Sequence, residues 1–186
     1  MAEHVCPWWV GYLLASPLRR LFQKPEQILD SYIREGMTVL EPGCAMGFFS
    51  LPMARMVGSE GRIVCVDLQQ RMLDSLMQRA RKAGLADRIE ARSCAKDGLG
   101  IEDLSGRIDF ALAFAMVHEV PDPDRLLSQI RDALAPGGRL LIAEPAGHVS
   151  GDAFEKTVKL ATEAGLATIE RPRIAKSHAV LMAKPG

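Results

Sequence analysis

The stretch "VLEPGCAMGFFSLPMARMVG", residues 39–58, decides the fold of this chain. An apolar segment runs into a Pro/Gly turn, and a helical pattern follows the turn. Glu41 stands where the segment turns, and Gly43 and Gly47 lie four residues apart behind it. Glycines let a ligand approach the backbone, and the N-terminus of a helix offers unpaired N–H groups. The stretch therefore predicts a ligand-binding loop between a strand and a helix.

The chain beyond residue 25 alternates helical and extended patterns, which is typical of an α/β fold with a mostly parallel sheet. Helices are predicted over residues 25–36, 47–57, 69–83 and 151–164, and from Pro123 behind an Asp122 N-cap. Strands are predicted over residues 37–40, 62–66, 89–92, 109–114, 139–145, 166–170 and 178–184, with a "PGG" turn at 136–138. The last two strands predict an antiparallel hairpin, because their connection is short. Pro52 fits the second helix only if that helix starts late or bends.

The overall composition predicts one soluble globular domain. The chain has 186 residues, of which 48% are hydrophobic and 25% are charged, as is usual for such a domain. Its 23 basic and 23 acidic side chains cancel, so the chain lacks the basic field of a nucleic-acid-binding protein. We therefore expect no nucleic-acid partner.

The cysteines and the N-terminal residues bear on the cellular compartment. No CxxC or CxxxxH spacing occurs, so the four cysteines predict no structural zinc site; they are Cys6, Cys44, Cys65 and Cys94. We interpret them as reduced, mostly buried thiols. Glu3 and His4 stand where a signal peptide is basic, and the apolar run over residues 5–15 is too short to span a bilayer. We expect a cytoplasmic protein without stable membrane insertion.

Residues 1–24 form an aromatic segment that differs from the remainder of the chain. They contain both tryptophans and the apolar cluster "VCPWWVGYLL". We predict a lid that packs on the core. Two alternatives stay open: a substrate wall built from Trp8, Trp9 and Tyr12, or a surface that meets a membrane or a partner beside Arg19 and Arg20.

Three classes of ligand use glycine-rich loops of the kind that follows Glu41. A P-loop requires GxxxxGK[ST], and no lysine follows Gly47. A dinucleotide loop requires GxGxxG, but its second and third glycines fall on Ala45 and Phe48. The remaining pattern has an acid before the first glycine and the last glycine four positions later, as in ExGxGxG.

Asp67 provides an independent indication of the ligand. It lies 20 residues beyond Gly47 and directly follows the strand "IVCV". A carboxylate at the end of a neighbouring strand points into the same crevice, where it can accept ribose hydroxyls. The alternative is that Asp67 is only the N-cap of the next helix.

With these motifs, residues 25–186 resemble the class I S-adenosylmethionine-dependent methyltransferases. The matching stretches are "VLEPGCAMG", "GRIVCVD", "IDFALAFAMVHEVPDP" and "LAPGGRLLIAEP". The chain is most similar in style to the small-molecule branch of the menaquinone and ubiquinone methyltransferases. The resemblance implies a single Rossmann-like domain with helices on both faces of a seven-stranded sheet. It implies the strand order 3-2-1-4-5-7-6, with the last strand antiparallel.

The resemblance also implies roles for individual residues around S-adenosylmethionine. Glu41 would hold its ammonium group, Asp67 its ribose, and Leu68 would pack on its adenine. Cys94 falls where the family usually has an aspartate near adenine, so the backbone of Ala95 is an alternative partner there. The methionine part would pass over Gly43, Cys44, Ala45 and Gly47, and Phe114 and Ala115 would lie beside the cofactor. Ala45 replaces the common middle glycine, and we expect its methyl group to be tolerated.

The resemblance places His118 near the transferred methyl group. His118 is then a candidate general base, because imidazole titrates near neutral pH, or it only orders its loop by hydrogen bonding. Glu144 is interpreted as structural. The acceptor is a small or medium-sized molecule, and the absence of "NPPY" and of a catalytic cysteine motif favours oxygen, carbon or sulfur as the acceptor atom. No metal site is predicted.

Three alternative functions stay open. A nicotinamide-dependent oxidoreductase is disfavoured by Ala45 and Phe48. A non-catalytic scaffold that binds a cofactor or a partner is kept open by Ala45 and Cys94. A further hypothesis brings Cys6, Cys44 and Cys94 together on a soft metal or metalloid acceptor, because thiolates suit such ligands.

Overall fold

A computed structural model describes residues 23–186 of the chain. The lid or substrate wall predicted over residues 1–24, with Trp8, Trp9 and Tyr12, therefore lies outside the described residues except for its last two positions. Those predictions stay predictions.

One sheet of seven strands runs through the described residues and confirms the α/β class. Its order is β3-β2-β1-β4-β5-β7-β6, as the resemblance implies. The first five strands pair in parallel, and β7 is antiparallel to both of its neighbours. The strands are β1 (Thr38–Pro42), β2 (Arg62–Asp67), β3 (Ile89–Ser93), β4 (Ile108–Phe114), β5 (Leu134–Pro145), β6 (Ala167–Glu170) and β7 (Ser177–Ala183).

Helices cover both faces of the sheet, and apolar side chains fill the two layers between. One face carries α1 (Pro25–Leu29), α2 (Ser50–Met56) and α3 (Gln70–Lys82). The other carries α4 (Pro123–Ala133) and α5 (Gly151–Glu163). Short 3-10 helices cover Ala86–Arg88, Glu102–Leu104 and Val117–Glu119. Among residues 23–186, no helix has both the length and the apolar character needed to cross a membrane.

The first helix is shorter than its sequence pattern predicts. It ends at Leu29, although the pattern extends to Gly36. Tyr32 and Ile33 are still buried, because the turns after the helix carry them into the core. The Tyr32 ring stacks on Phe110 with 5.8 Å between centroids, and these tertiary contacts replace a helical continuation.

The second helix starts later than Gly47, as Pro52 requires. It begins at Ser50, so Pro52 lies in the first turn, where its missing N–H costs no helical hydrogen bond. Asp122 caps α4 as predicted, since its carboxylate accepts the Arg125 N–H at 3.0 Å.

The turn predicted at residues 136–138 is an irregularity inside a long strand. The register of β4 with β5 shifts between Ile108 and Phe110, and Gly137 has φ +76°. The Gly137 N–H donates to Lys184 O and the Lys184 N–H donates to Gly138 O, both at 2.9 Å. This pairing with the end of β7 keeps the segment within the sheet.

The strand order places a crevice at the carboxyl end of β1. The chain leaves β1 toward β2 and β3 on one side, and later returns to β4 and β5 on the other. Ligands of open parallel sheets bind where the strand order reverses in this way. The loop that begins at Gly43 lies at this point, as the opening stretch predicts.

Gly47 lies where a larger residue has no room. Its φ is +82°, and a Cβ atom there would lie 2.3 Å from Cδ1 of Leu76, a fully buried residue of α3. Gly84 has a similar φ of +67° but no atom within 4 Å of a built Cβ. The two glycines share the strain of a left-handed backbone and differ in packing.

We expect Gly47→Ala to lower the free energy of unfolding by about 2–4 kcal/mol, since strain and overpacking add. The control Gly84→Ala should cost only about 1–2 kcal/mol, because strain acts alone. Urea unfolding followed by circular dichroism measures both. Equal losses in the two variants would contradict the packing of Gly47 against α3.

Candidate active site

A cavity of about 440 Å³ opens at the carboxyl edge of the sheet, within the size range of small-molecule sites. The loop after β1 and the end of β2 form one side of it. The segments that follow β3 and β4, together with α4, form the other. Its lining includes Gly43, Ala45, Asp67, Leu68, Cys94, Ala95 and Ala115 of the predicted site residues.

The loop after β1 brings bare backbone to the cavity. Gly43 has φ +68°, and its N–H donates to Val66 O at 2.8 Å. A Cβ atom on Gly43 would lie 3.0 Å from Cβ of Met116, so the loop touches the segment after β4. Ala45 has φ +46°, and an L-residue in this conformation carries strain of about 1–2 kcal/mol.

The Asp67 carboxylate ties this loop to the end of β2. Its Oδ2 accepts the Ala45 N–H and its Oδ1 accepts the Gln69 N–H, both at 2.9 Å. Gln69 is the N-cap residue of α3, so Asp67 is not the helix cap that the sequence left open. An ionised carboxylate offers about four acceptor positions, and Asp67 therefore keeps capacity for a ligand donor.

The Asp67 carboxyl is largely shielded from water. Burial raises its pKa above the usual value, and hydrogen bonds from the backbone N–H groups of Gln69, Ala45 and Leu68 oppose that rise.

Glu41 lies beneath the loop and outside the lining of the cavity. Its side chain is buried, accepts a hydrogen bond from Oγ of Ser50, and lies 3.9 Å from Sγ of Cys65. Cys44 is buried in the same layer. Burial and the neighbouring Cys65 raise the pKa of the Cys44 thiol well above its usual value, so it stays protonated. Gly47 also lies outside the lining.

The far side of the cavity is mostly apolar, with Leu68, Met72, Leu99 and Leu126 in its lining. Cys94 lies between this surface and Asp67, and its N–H donates to Asp67 O at 3.1 Å. The Ala95 N–H, predicted as an alternative partner for adenine, donates to Gly98 O at 3.2 Å. That amide is therefore already engaged within its own loop.

The segment after β4 closes the third side of the cavity. Ala115 has φ +55°, and its N–H donates to Ala143 O at 2.7 Å. Phe114 lies below the cavity, where its ring packs against Phe49 with 4.4 Å between centroids. Phe114 therefore supports the site from beneath while Ala115 lines it.

His118 pairs with a buried carboxylate that the sequence analysis interpreted as structural. The His118 Nδ1 atom bonds to Oε2 of Glu144, whose side chain is only 1% exposed. Oε1 of Glu144 accepts the Val117 N–H at 2.8 Å. The sequence analysis missed this pair, although both residues stand at the carboxyl ends of adjacent strands.

Acidic groups outnumber basic ones around the cavity. Among the described residues its lining holds the carboxylates of Asp67, Asp97, Glu119 and Asp122, and the cations Lys96 and Arg125. Both cations lie away from the loop after β1. The sequence analysis singled out neither of them, because only the fold brings α4 and the segment after β3 together.

The described residues do not support a shared cysteine centre. Cys94 lines the cavity, whereas Cys44 is buried below the loop, and Cys6 lies outside residues 23–186. Within that range, no group of three or more His, Cys, Asp or Glu residues could hold a metal ion.

Comparison with known families agrees with this geometry. The methyltransferase domain family matches residues 33–179. The chain belongs to this family. The predicted resemblance to the class I methyltransferases is therefore confirmed by the family match and by the strand order.

Two curated relatives match part of this methyltransferase domain. The chain is 30% identical over 114 residues to the ubiquinone/menaquinone biosynthesis C-methyltransferase UbiE of Enterobacter sp. (strain 638), covering 61% of the chain and 45% of that protein. It is 32% identical over 112 residues to an uncharacterized 37.1 kDa protein in transposon TN4556 of Streptomyces fradiae, covering 60% and 31%. The chain thus spans less than half the length of either relative.

Solved structures share the fold at low sequence identity. A SAM-dependent methyltransferase from Aquifex aeolicus has a TM-score of 0.86 at 22% identity, covering 97% of this chain and 100% of the other. Geranyl diphosphate C-methyltransferase from Streptomyces coelicolor A3(2) has a TM-score of 0.69 at 15% identity, covering 87% and 76%.

Cys94 offers a chemical test of this geometry. Burial first and the Asp67 charge second raise the pKa of the Cys94 thiol, so less of the reactive thiolate is present near neutral pH. We expect iodoacetamide to alkylate Cys94 more slowly than free cysteine at the same pH, and to leave the buried Cys44 and Cys65 unlabelled in the folded protein. Peptide mass spectrometry distinguishes the sites. Alkylation of Cys44 before Cys94 would contradict the arrangement.

Proposed function

We propose that this methyltransferase domain binds S-adenosylmethionine and transfers its methyl group to a small or medium-sized acceptor. The observation that carries the proposal is the acidic cavity at the reversal of strand order, with the Asp67 carboxylate bonded to the glycine-rich loop. The cofactor supplies a methyl group activated by a positively charged sulfur. An excess of carboxylates suits a ligand of that charge.

The residues around the cavity fit the parts of this cofactor. Asp67 keeps acceptor capacity for ribose hydroxyls, and Leu68 with Cys94 offers an apolar slot for adenine. Backbone at Gly43 and Ala45 would pass under the methionine part, because Met116 leaves no room for a side chain on Gly43. Glu41, buried beneath the loop, would attract the ammonium group from below.

The same features disfavour a nicotinamide dinucleotide. Phe48 occupies the third glycine position of the dinucleotide pattern, where its ring is buried and packs edge-on against Phe49 at 5.1 Å between centroids. A pyrophosphate would also meet a lining with more carboxylates than cations. Like charges in a partly buried site weaken binding.

The chain's contribution to transfer is chiefly placement. Holding an acceptor in line with the activated methyl group converts a two-body reaction into a nearly unimolecular one. We place the cofactor site in residues 25–186 and assign acceptor contacts to residues 1–24. Trp8, Trp9 and Tyr12 are the candidates there.

The relatives support a small-molecule acceptor. UbiE is named as a C-methyltransferase of ubiquinone and menaquinone biosynthesis. The geranyl diphosphate C-methyltransferase was crystallised with S-adenosyl-L-homocysteine and its acceptor. Both acceptor chemistries are small organic molecules, consistent with a chain that has little length beyond its cofactor domain.

We expect isothermal titration calorimetry to show binding of S-adenosylmethionine and S-adenosylhomocysteine but not of NAD. Asp67→Asn should weaken binding at least tenfold, about 1.4 kcal/mol, because a ribose acceptor becomes neutral. Asp74→Ala is the matched control, since that carboxylate lies exposed on α3 and bonds only to the side chain of Gln70 among the contacts found.

The outcomes separate the rival functions. Binding of NAD alone contradicts the methyltransferase proposal and favours an oxidoreductase. Binding of none of the three ligands favours a non-catalytic scaffold. Equal affinities of Asp67→Asn and Asp74→Ala would contradict the role of Asp67.

A further inference from the structure

The pair formed by His118 and Glu144 has the geometry of an oriented base. Glu144 is buried at the end of β5, and both of its oxygens are engaged, one by the Val117 N–H and one by Nδ1 of His118. A buried ionised carboxylate is an acceptor only, so Nδ1 must carry the proton in this bond. The tautomer is thereby set, and Nε2 keeps its lone pair.

The Nε2 atom points toward the margin of the cavity. It lies 4.0 Å from Oε1 of Glu119, a residue that lines the cavity, and the His118 side chain is 26% exposed. Met116, two residues before His118, contacts the position where Gly43 lacks a side chain. The imidazole therefore stands beside the part of the site assigned to the methionine end of the cofactor.

We propose that His118 is the general base of the transfer, that Glu144 is its positioning residue, and that the acceptor is a phenol-type hydroxyl. This inference rests on the proposed function. A hydroxyl of this kind ionises near pH ~10 and needs a base at neutral pH. Thiols ionise more readily and a neutral amine attacks with its own lone pair, so neither requires such a pair as strongly.

The step balances on the residues present. The acceptor oxygen gives its proton to Nε2 of His118, and an oxygen electron pair forms the bond to the methyl carbon. The carbon–sulfur bond breaks and its electron pair stays on sulfur, which becomes a neutral thioether. The positive charge now lies on His118 between two carboxylates, Glu144 and Glu119, until the proton passes to water.

Other titratable groups face the pair from neighbouring elements. His148, in the segment after β5, has its ring centroid 6.5 Å from that of His118. His178 of β7 is the register partner of Glu144, and its ring stacks on Phe154 at 5.6 Å. Only His118 is bonded to the buried carboxylate among these three histidines in the described contacts.

The first test reads the tautomer and needs no acceptor. In ¹⁵N-histidine-labelled protein with S-adenosylhomocysteine, we expect the His118 resonances of an Nδ1–H imidazole. Glu144→Gln keeps the side-chain size and a carbonyl for Val117, but its NH₂ donates to Nδ1 and forces the proton onto Nε2. An Nε2–H signal in the unaltered protein, or no change in Glu144→Gln, overturns the inference.

The second test uses phenols graded in acidity as probes, from phenol to 4-nitrophenol. We expect His118→Gln and Glu144→Gln to lower kcat for phenol by at least about a hundredfold, the usual contribution of a general base, with KM little changed. The loss should shrink toward 4-nitrophenol, which ionises without help. The matched control His148→Gln removes a neighbouring imidazole that lacks the carboxylate partner and should keep its activity.

Three results separate this inference from the proposed function. Equal losses across the phenol series overturn the role of His118 as a base. Methylation of thiols or amines without phenols overturns the acceptor class. In both cases calorimetric binding of S-adenosylmethionine to the unaltered protein leaves the proposed function standing, whereas loss of that binding contradicts the proposed function itself.

Discussion

The hydrogen bond between the Asp67 carboxylate and the Ala45 N–H holds the site together. It joins the end of β2 to a loop that carries three residues with left-handed backbone, Gly43, Ala45 and Gly47. Ala45 bears the strain of an L-residue in that conformation, so a strong acceptor opposite its N–H is needed to keep the loop in place. The opening of the cavity, the contact of Gly43 with Met116 and the packing of Gly47 on Leu76 all depend on this loop.

Buried polar groups gather at the same edge of the sheet. The buried polar or charged side chains of residues 23–186 are Glu41, Ser50, Asp67 and Glu144. Each of the three carboxylates ends or nearly ends a parallel strand, and each has a hydrogen-bond donor. Burying a carboxylate costs free energy even when it is bonded. A fold that accepts this cost three times at one edge is organised around a ligand there.

Local patterns predicted the parts of the fold that depend on neighbours in sequence. The loop after Glu41, the capping of α4 by Asp122 and the late start of α2 at Pro52 follow from backbone chemistry over a few residues. The resemblance supplied the strand order. Features that depend on tertiary contacts were missed: α1 stops at Leu29 because Tyr32 packs on Phe110, and residues 136–138 stay in the sheet because Lys184 pairs with them. The bond between His118 and Glu144, 26 residues apart, required the register of β4 with β5.

Hydrogen–deuterium exchange of the chain with and without saturating S-adenosylhomocysteine tests the central claim most directly. The claim is that one cofactor site spans the loop after β1, the end of β2 and the segments after β3 and β4. The account predicts slower exchange together at residues 43–47, 67–69, 94–99 and 115–122, with little change in β6 and β7. Unchanged exchange in the loop after β1, or protection confined to another surface, would contradict it.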